Sequence, residues 1–421
     1  LHTGGGIDSP RPASQRAAAL VLTAAMLTTL AAPAFAKTWY IENGDITISA
    51  GKTEGTNKVS QGSTTDEEDT DTVITNNNRD TASSHTVTID AGNDKVEVTL
   101  DNVNIKADSG SALTSNGDVT LTLKGENHLT GGNGDTYGGD GITSSGSLTI
   151  SGGTVTATGG NNTGSDGSGG SGIYSVSGSV TISGGTVNAT GGEGSKNNST
   201  SGGSGIYSDS GDVTISGGTV NANGGSGKNG NGGNGIIGSG RVAISGGTVN
   251  AAGGDGTNSN GGEGIYGRKG IDLSGSLELT AKAGSPNGKA LSRAGHEFDL
   301  DTIKDKLDPG AKVTVTDANG KVNQVSIPRP VEPEESSSSS DGGSSAPSAP
   351  ASPLPGLTVT DKDGQRISYT STQSGNTLTV CVGRLTASLR ISLAALRQLR
   401  AEGIETITFQ TILCSTTLSV D

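Results

Sequence analysis

The sequence predicts an all-β fold, a parallel β-helix of about seven to nine coils, followed by a linker and a small α+β piece. Three observations predict it. The hexapeptide Ile-Ser-Gly-Gly-Thr-Val begins at Ile150, Ile182, Ile215 and Ile244, at offsets of 32, 33 and 29 residues. The strand-like pieces of each unit are too short to bury a face alone. Like strands recur one period away, so stacking like on like satisfies the backbone and aligns the apolar residues.

The composition is acidic and rich in glycine. The chain has 28 Lys and Arg against 42 Asp and Glu, a formal net charge of −14, which disfavours binding to nucleic acid phosphates. Only 29% of residues are apolar, and Gly supplies 71 of 421. Such a composition is typical of disorder. The strict periodicity of the apolar residues argues against disorder in the middle of the chain.

Residues 1–36 match a secretory signal peptide. Arg11 and Arg16 precede an apolar run, Ala17 to Ala32, which is followed by Ala34-Phe35-Ala36, and this pattern predicts cleavage after Ala36. The run is too short and too Thr-rich for a convincing membrane span. We therefore expect a secreted or cell-surface protein, with no membrane span in the mature chain and a monomeric state.

The first strands of the mature chain are short and separated by polar insertions. Trp39–Ile41, Asp45–Ile48, Thr86–Ile89 and Val96–Leu100 read as strands, the last two with clear period-two alternation. Residues 51–72 read as an acidic, Thr-rich loop. Its run of four acids is expected to be solvated, with a cation site as the alternative.

The repeat itself predicts which residues face the core. Val213, Ile215, Val220 and Ala222 are expected to point inward, and Thr214 and Asn221 outward. The Ser-Gly-Gly corner supplies residues that tolerate positive φ. Insertions always follow the Thr-Val-Asn strand and should emerge on one edge of the solenoid, at Gly159–Gly170, Gly191–Gly203, Gly224–Gly233 and Gly253–Gly262.

The chain after the repeats divides into a cap, a linker and a further piece. The β-helix domain is expected over 37–295, with a short helix and a hairpin about Asn319-Gly320 over 296–327 as its cap. Residues 328–356 are a Pro/Ser-rich linker. Residues 357–421 read as a small α+β domain, which we expect to be truncated. Cys381 and Cys414 are permitted to pair outside the cell, without forming a disulfide framework.

Three stretches carry a family resemblance: Val96–Ile105, Gly110–Leu123, and the recurring Gly-Ile-Tyr-Ser with Val-Thr-Ile-Ser-Gly-Gly-Thr-Val. Through them the chain resembles the bacterial secreted carbohydrate-binding β-helix domain family, whose right-handed parallel β-helix is similar to that of pectate lyases. The resemblance covers roughly residues 40–300, and adhesin solenoids use similar repeats. It implies binding of plant-type polysaccharides, with calcium and without catalysis as a rule.

Calcium takes six to eight oxygen ligands. Most of the candidate ligands lie where the insertions return to the coil, namely Asp135, Asp140, Asp166, Asp255 and Glu263, and Asp209 and Asp212 lie at the next corner. If the rungs stack, the residues before Gly-Ile form one column, namely Asp140, Ser171, Ser204, Asn234 and Glu263. The alternative for each acid is a solvated turn residue that caps backbone amides.

Aromatic residues make up 2% of the chain, so their positions are informative. Tyr174, Tyr207 and Tyr266 share one register, each after an inward Ile, and should point outward as platforms for sugar faces. The alternative is a ring lying across its neighbours in the sheet. Asn188, Asn221 and Asn250 also align and can bond either sugar hydroxyls or one another.

These observations favour a non-catalytic polysaccharide-binding protein that uses a calcium-assisted face. One alternative is a structural or adhesive solenoid that binds a protein or a host surface. The other is a calcium-dependent polysaccharide lyase, for which Arg241, Arg268, Lys269 and Arg293 are the basic residues near the end of the array. No nucleophile–base pattern accompanies the four scattered histidines.

Overall fold

The computed structural model describes residues 37–195, 200–328 and 357–419, the last with gaps at 361–366, 368, 375, 383–386, 402 and 412–414. The predicted signal peptide, most of the linker and Cys414 therefore lie outside the described residues. The chain divides into two units, one ending at Glu332 and one beginning at Pro333, and each is described by itself.

The first unit is a β-solenoid, and its strands follow one another with short turns. Its opening strands are β1 (Thr38–Tyr40), β2 (Ile46–Ala50), β3 (Asn57–Gln61), β4 (Thr64–Asp69), β5 (Val73–Thr75), β6 (Val87–Asp101) and β7 (Asn104–Lys106). The central strands are β8 (Leu113–Thr130), β9 (Ile142–Ser144), β10 (Leu148–Thr158), β11 (Ile173–Ser175), β12 (Val180–Ile182), β13 (Thr186–Thr190), β14 (Ile206–Ser208), β15 (Val213–Ile215) and β16 (Thr219–Asn223). The closing strands are β17 (Ile236–Gly238), β18 (Arg241–Ala252), β19 (Ile265–Gly267), β20 (Gly270–Lys282), β21 (Leu291–Arg293), β22 (His296–Glu297), β23 (Lys312–Thr316) and β24 (Val322–Ser326).

The strands stack in parallel into three faces, because each strand pairs with its like strand one rung away. The first face holds the Gly-Ile strands, such as β11, β14 and β17. The second face holds the Val-Thr-Ile strands, such as β12 and β15. The third face holds the Thr-Val-Asn strands, such as β13 and β16. Long strands such as β10 and β18 continue round the corner from the second face to the third.

The predicted inward and outward residues are confirmed. Val213, Ile215, Val220 and Ala222 are fully buried, while Thr214 and Asn221 are half-buried on the outside. The register aligns Ile182 with Ile215 and Val187 with Val220, so identical side chains form continuous inner columns. At the corner, Gly218 has a φ of +80°, in the left-handed region that the Ser-Gly-Gly sequence predicts.

The solenoid has about ten turns rather than the seven to nine predicted. The additional turns come from segments that lack the hexapeptide. Near the start, β2 pairs in parallel with β6, and β1 pairs in parallel with β5. Near the end, β23 adds one more strand to the third face by pairing with β20. Stacking in these turns depends on apolar alternation alone, and this is why counting hexapeptides underestimated them.

The interpretation of residues 51–72 as a loop is wrong. Strands β3 and β4 form an antiparallel hairpin there, and β3 also pairs with β2. The run Asp66–Asp69 lies on β4, the outer strand of that hairpin, with Asp69 buried. Charged side chains on an outer strand discourage pairing with other chains, so an acidic sequence is tolerated at this position.

The end of the solenoid is closed by a short helix and a hairpin. A 3-10 helix spans Leu300–Lys306, and β23 and β24 pair in antiparallel fashion about the turn at Asn319-Gly320. Ile303 of the helix and Val325 of the hairpin are buried in the same core as the stacked Ile and Val columns. The open end of the repeat array is thus covered by apolar side chains.

The insertions form a stack of their own, which we call the fin: residues 131–140, 159–171, 191–204, 224–234 and 253–263, with 196–199 outside the described residues. Their bases consist of glycine pairs, one leaving the third face and one rejoining the first. In this glycine zigzag, each N–H donates at 2.7–2.8 Å to the carbonyl of the glycine before it in the series, so that bonds within one insertion alternate with bonds between neighbouring segments. The series runs through Gly132, Gly139, Gly160, Gly170, Gly192, Gly203, Gly225, Gly233, Gly254, Gly262 and Gly284. The bases are so closely packed that no side chain fits between them.

The second unit consists of two small sheets and a helix. Its elements are β25 (Leu357–Thr360), β26 (Thr370–Ser374), β27 (Thr377–Cys381), β28 (Ser388–Ile391), α1 (Leu393–Ala401), β29 (Thr406–Gln410) and β30 (Ser415–Ser419). Strand β27 lies parallel to β29, and β30 pairs in antiparallel fashion with β29. Among the described residues of both units, no helix has the length and apolar character needed to cross a membrane.

Candidate functional site

The outward tyrosines lie on one line along the first face. Register pairs Tyr174 with Tyr207, Tyr207 with Ile237, and Ile237 with Tyr266. We call these four residues the tyrosine stripe. Each follows a fully buried Ile and is half-buried, as predicted for outward positions. With rungs about 4.8 Å apart, the stripe extends for about 14 Å along the solenoid axis.

The rings of Tyr174 and Tyr207 pack against each other. Their centroids are 5.1 Å apart and their planes meet at 30°. The Tyr207 hydroxyl donates to Asp209 Oδ1 at 2.5 Å, which fixes the ring. Burial raises the pKa of Tyr207 far above its ordinary value, and Asp209 adds to the shift. The phenol is therefore neutral at pH 7 and available as a rigid, partly exposed surface.

Two carboxyl groups lie near the stripe, where the fin rejoins the first face. Asp140 Oδ2 accepts from Thr143 Oγ1 and Asp140 Oδ1 accepts from the Ser171 N–H, both at 2.6 Å. Burial raises the pKa of Asp140, and these hydrogen bonds oppose the rise. Burial also raises the pKa of Glu263, and the positive charge of Lys289 is the main influence that lowers it. Both carboxyls are thus partly withdrawn from water.

The predicted column before Gly-Ile does form. Backbone N–H groups of the following glycines donate up the column, for example Gly172 to the Ser204 carbonyl and Gly205 to the Asn234 carbonyl. The side chains cap amides of the next rung, as Asn234 Oδ1 does for the Glu263 N–H at 2.7 Å. This is the amide-capping alternative of the sequence analysis.

The remaining predicted calcium ligands are dispersed. Asp135 accepts from Thr163 Oγ1, Asp166 from Ser165 Oγ, Asp212 from the Arg241 N–H and Asp255 from the Ser285 N–H, at 2.9, 3.3, 2.7 and 2.8 Å respectively. Within the described part of the chain, no three His, Cys, Asp or Glu side chains converge on a possible ion. A carboxylate-rich calcium site is therefore not what these residues form, and calcium stays a prediction.

The aligned asparagines of the third face bond one another. Asn221 Nδ2 donates to Asn188 Oδ1, and Asn250 Nδ2 donates to Asn221 Oδ1, each at 2.8 Å. Asn188 in turn donates to Thr156 Oγ1 at 3.4 Å. The amides form a ladder along the stack, which corresponds to the second of the two alternatives. A glycan on this face would compete with bonds that are already made.

Sequence reasoning placed the insertions on one edge but missed that they stack. The signal that predicts the fin is the pair of glycines at each end of every insertion, for example Gly159-Gly160 and Gly169-Gly170. A side chain at such a position has no space, since a Cβ on Gly170 would lie 2.1 Å from the Gly139 carbonyl oxygen. The described residues of the fin therefore form a regular stack, which joins the first face, the face that carries the tyrosine stripe.

A family model described as a beta helix repeat matches residues 148–172 and 213–236. Each matched segment runs from a second-face strand to the Gly-Ile region, and together they cover a minority of the chain. No curated protein and no solved structure is significantly similar to this chain. With the stacked parallel strands, the match defines the class: this is a parallel β-helix protein.

Proposed function

We propose that the protein is a non-catalytic, secreted or cell-surface polysaccharide-binding protein whose glycan lies along the tyrosine stripe. The observation that carries the proposal is the packed, half-exposed pair Tyr174–Tyr207, with ring centroids 5.1 Å apart. Three of the six tyrosines of an aromatic-poor chain lie on this one line. The class of ligand is a polysaccharide, with plant cell-wall glycans as the first candidates.

The chemistry of the stripe suits a sugar chain. A pyranose ring has an apolar face of C–H groups that packs on an aromatic ring, and hydroxyls at its edge. Asp209 accepts from the Tyr207 hydroxyl and Asp140 lies near Tyr174, and both carboxylates can accept hydrogen bonds from the sugar hydroxyls. Because the stripe follows the solenoid axis, a linear glycan can contact successive rungs. Rings held by packing and by Asp209 lose little conformational freedom on binding.

Calcium binding is proposed separately from glycan binding on the tyrosine stripe. The dispersed acids described above do not fit a carboxylate-rich site, so no step of glycan binding is routed through an ion. If calcium binds, carbonyl and hydroxyl oxygens must supply most of its ligands.

A second candidate function is a structural or adhesive solenoid at the cell surface. The asparagine ladder and the glycine zigzag favour it, because their polar groups are satisfied within the stack and make it stiff. Arg241, one of the basic residues named for the lyase alternative, forms an ion pair with Asp272 at 2.8 Å. Both residues lie on the second face, whereas the tyrosine stripe lies on the first.

A pull-down on insoluble polysaccharides tests the proposal. Residues 37–421 are mixed with cellulose, xylan, mannan, chitin and cross-linked pectate, with calcium or with chelator. We expect retention on at least one of them, because the stripe offers a preformed apolar platform. Heat-unfolded protein serves as the control for non-specific adsorption. Absence of specific retention on all five would contradict the proposal and favour the adhesive alternative. Release by chelator would establish the calcium part.

A further inference from the structure

We propose that proteolytic removal of residues 1–36 creates an internal ion pair, between the new α-ammonium group of Lys37 and the buried carboxylate of Asp69. The pair fixes the N-terminal end of the solenoid. The proposal concerns maturation of the chain and does not depend on what the tyrosine stripe binds.

Asp69 is a buried acid held by nitrogen donors. Its side chain is fully buried. Oδ1 accepts from the Lys37 N–H and the Asp71 N–H, each at 3.1 Å, and Oδ2 accepts from Trp39 Nε1 at 2.7 Å. The Lys37 nitrogen is therefore already in contact with the carboxylate, at the residue where the sequence predicts the mature chain to begin.

The three N–H donors satisfy the oxygens of the Asp69 carboxylate, but a buried carboxylate is still costly when no positive charge balances it. The side chain of Lys37 does not fill this role, since its Nζ pairs with Glu67 at 2.6 Å and lies 4.8 Å above the Trp39 ring. In an uncleaved chain the Lys37 nitrogen is a neutral amide. In the mature chain the same atom is an ammonium, so both partners of the hydrogen bond are charged and the bond becomes an ion pair.

The chemistry is simple hydrolysis. A signal-peptide-cleaving protease adds one water molecule across the Ala36–Lys37 peptide bond. Ala36 leaves as the carboxylate end of the released peptide, and Lys37 takes up a proton at its nitrogen. The nitrogen keeps its contact with Asp69, and the charge of the pair becomes balanced.

The pair acts on the whole first turn. The Lys37 carbonyl accepts from the Val73 N–H at 3.3 Å, and β1 continues from Lys37 into its parallel pairing with β5. Fixing Lys37 thereby fixes β1 and the Trp39 ring, which is buried in the core of the solenoid. The first turn of a repeat array needs such contacts, because a terminal turn has a neighbour on one side only.

The test compares chains that differ in the group attached to the Lys37 nitrogen. One sample begins at Lys37, a second carries Gly-Ser before Lys37, and a third is the chain that begins at Lys37 with its α-amine acetylated. Urea unfolding is followed by the fluorescence of Trp39, the single tryptophan, which reports on this end. We expect the extended and acetylated chains to unfold with an equilibrium constant about tenfold larger.

Two variants make the result specific. Asp69→Asn should abolish the difference between free and extended termini, whereas Glu67→Gln, which removes the exposed pair with Lys37 Nζ, should preserve it. If Asp69→Asn does not fold, the comparison of the three wild-type samples decides alone. A second measurement then supports it: we expect the α-amine of Lys37 to be acylated more slowly in buffer than in urea. Equal unfolding of the three wild-type samples, or a difference that persists in Asp69→Asn, would overturn the proposal.

Discussion

Replacing Gly203 by Ala is expected to destabilise the solenoid by about 3 kcal/mol or more. A Cβ on Gly203 would lie 1.9 Å from the Gly170 carbonyl oxygen and 2.6 Å from its carbon, so the neighbouring segments must separate. Moving Gly203 away from Gly170 also disturbs the two bonds that Gly203 makes in the zigzag, to the Gly192 carbonyl and from the Gly225 N–H, each at 2.8 Å. Urea unfolding monitored by circular dichroism measures the loss.

Gly184→Ala is the matched control for this prediction. Gly184 lies at a Ser-Gly-Gly corner, and a Cβ there would have no atom within 4 Å. The same chemical change should therefore leave stability within about 0.5 kcal/mol of the wild type. Equal effects of the two substitutions would show that the fin bases are looser than the structure describes.

Replacing Tyr174 and Tyr207 together by Ala is expected to lower glycan affinity at least about tenfold on any polysaccharide that retains the wild type. The change removes both rings of the packed pair and leaves Tyr266 two rungs away. Each aromatic contact contributes about 0.5–1.5 kcal/mol beyond its buried area. Depletion isotherms on the insoluble polysaccharide give the affinity.

The control for the tyrosine variant changes another face. Asn188→Ala with Asn221→Ala breaks the asparagine ladder on the third face and leaves the stripe intact. Glycan affinity should then stay within about twofold of the wild type, while stability falls slightly. Thermal unfolding of both variants verifies that they are folded. A loss of binding in the asparagine variant alone would place the glycan on the third face.

The core of the fold could be predicted because it is periodic. An isoleucine equivalent to Ile215 recurs at nearly equal offsets along the chain. Period-two alternation then assigns Val220 and Ala222 to the inside without any long-range information. The outward position of Tyr207 follows from the same alternation. Periodicity does not predict which hydrogen-bond partner an outward side chain takes. The mutual bonding of Asn188 and Asn221 and the contact of Tyr207 with Asp209 depend on rotamers.

Other parts could not be predicted because their signals lie outside side-chain patterning. A glycine zigzag has no apolar alternation, so the fin bases resemble flexible loops in the sequence. Strand β4 carries Asp66–Asp69, residues that rarely form strands, and it forms one because β3 offers a free edge. The contact of Asp69 with Trp39 joins residues 30 positions apart, and nothing local indicates it.

Hydroxyl-radical footprinting of the tyrosines with and without bound glycan tests whether a polysaccharide lies along the tyrosine stripe. Tyr40 lies on β1 at the start of the solenoid, is 41% exposed and serves as the internal reference. We predict that glycan lowers the oxidation of Tyr174, Tyr207 and Tyr266 and leaves that of Tyr40 unchanged. If bound glycan leaves the three stripe tyrosines as reactive as before, the glycan does not lie along the tyrosine stripe.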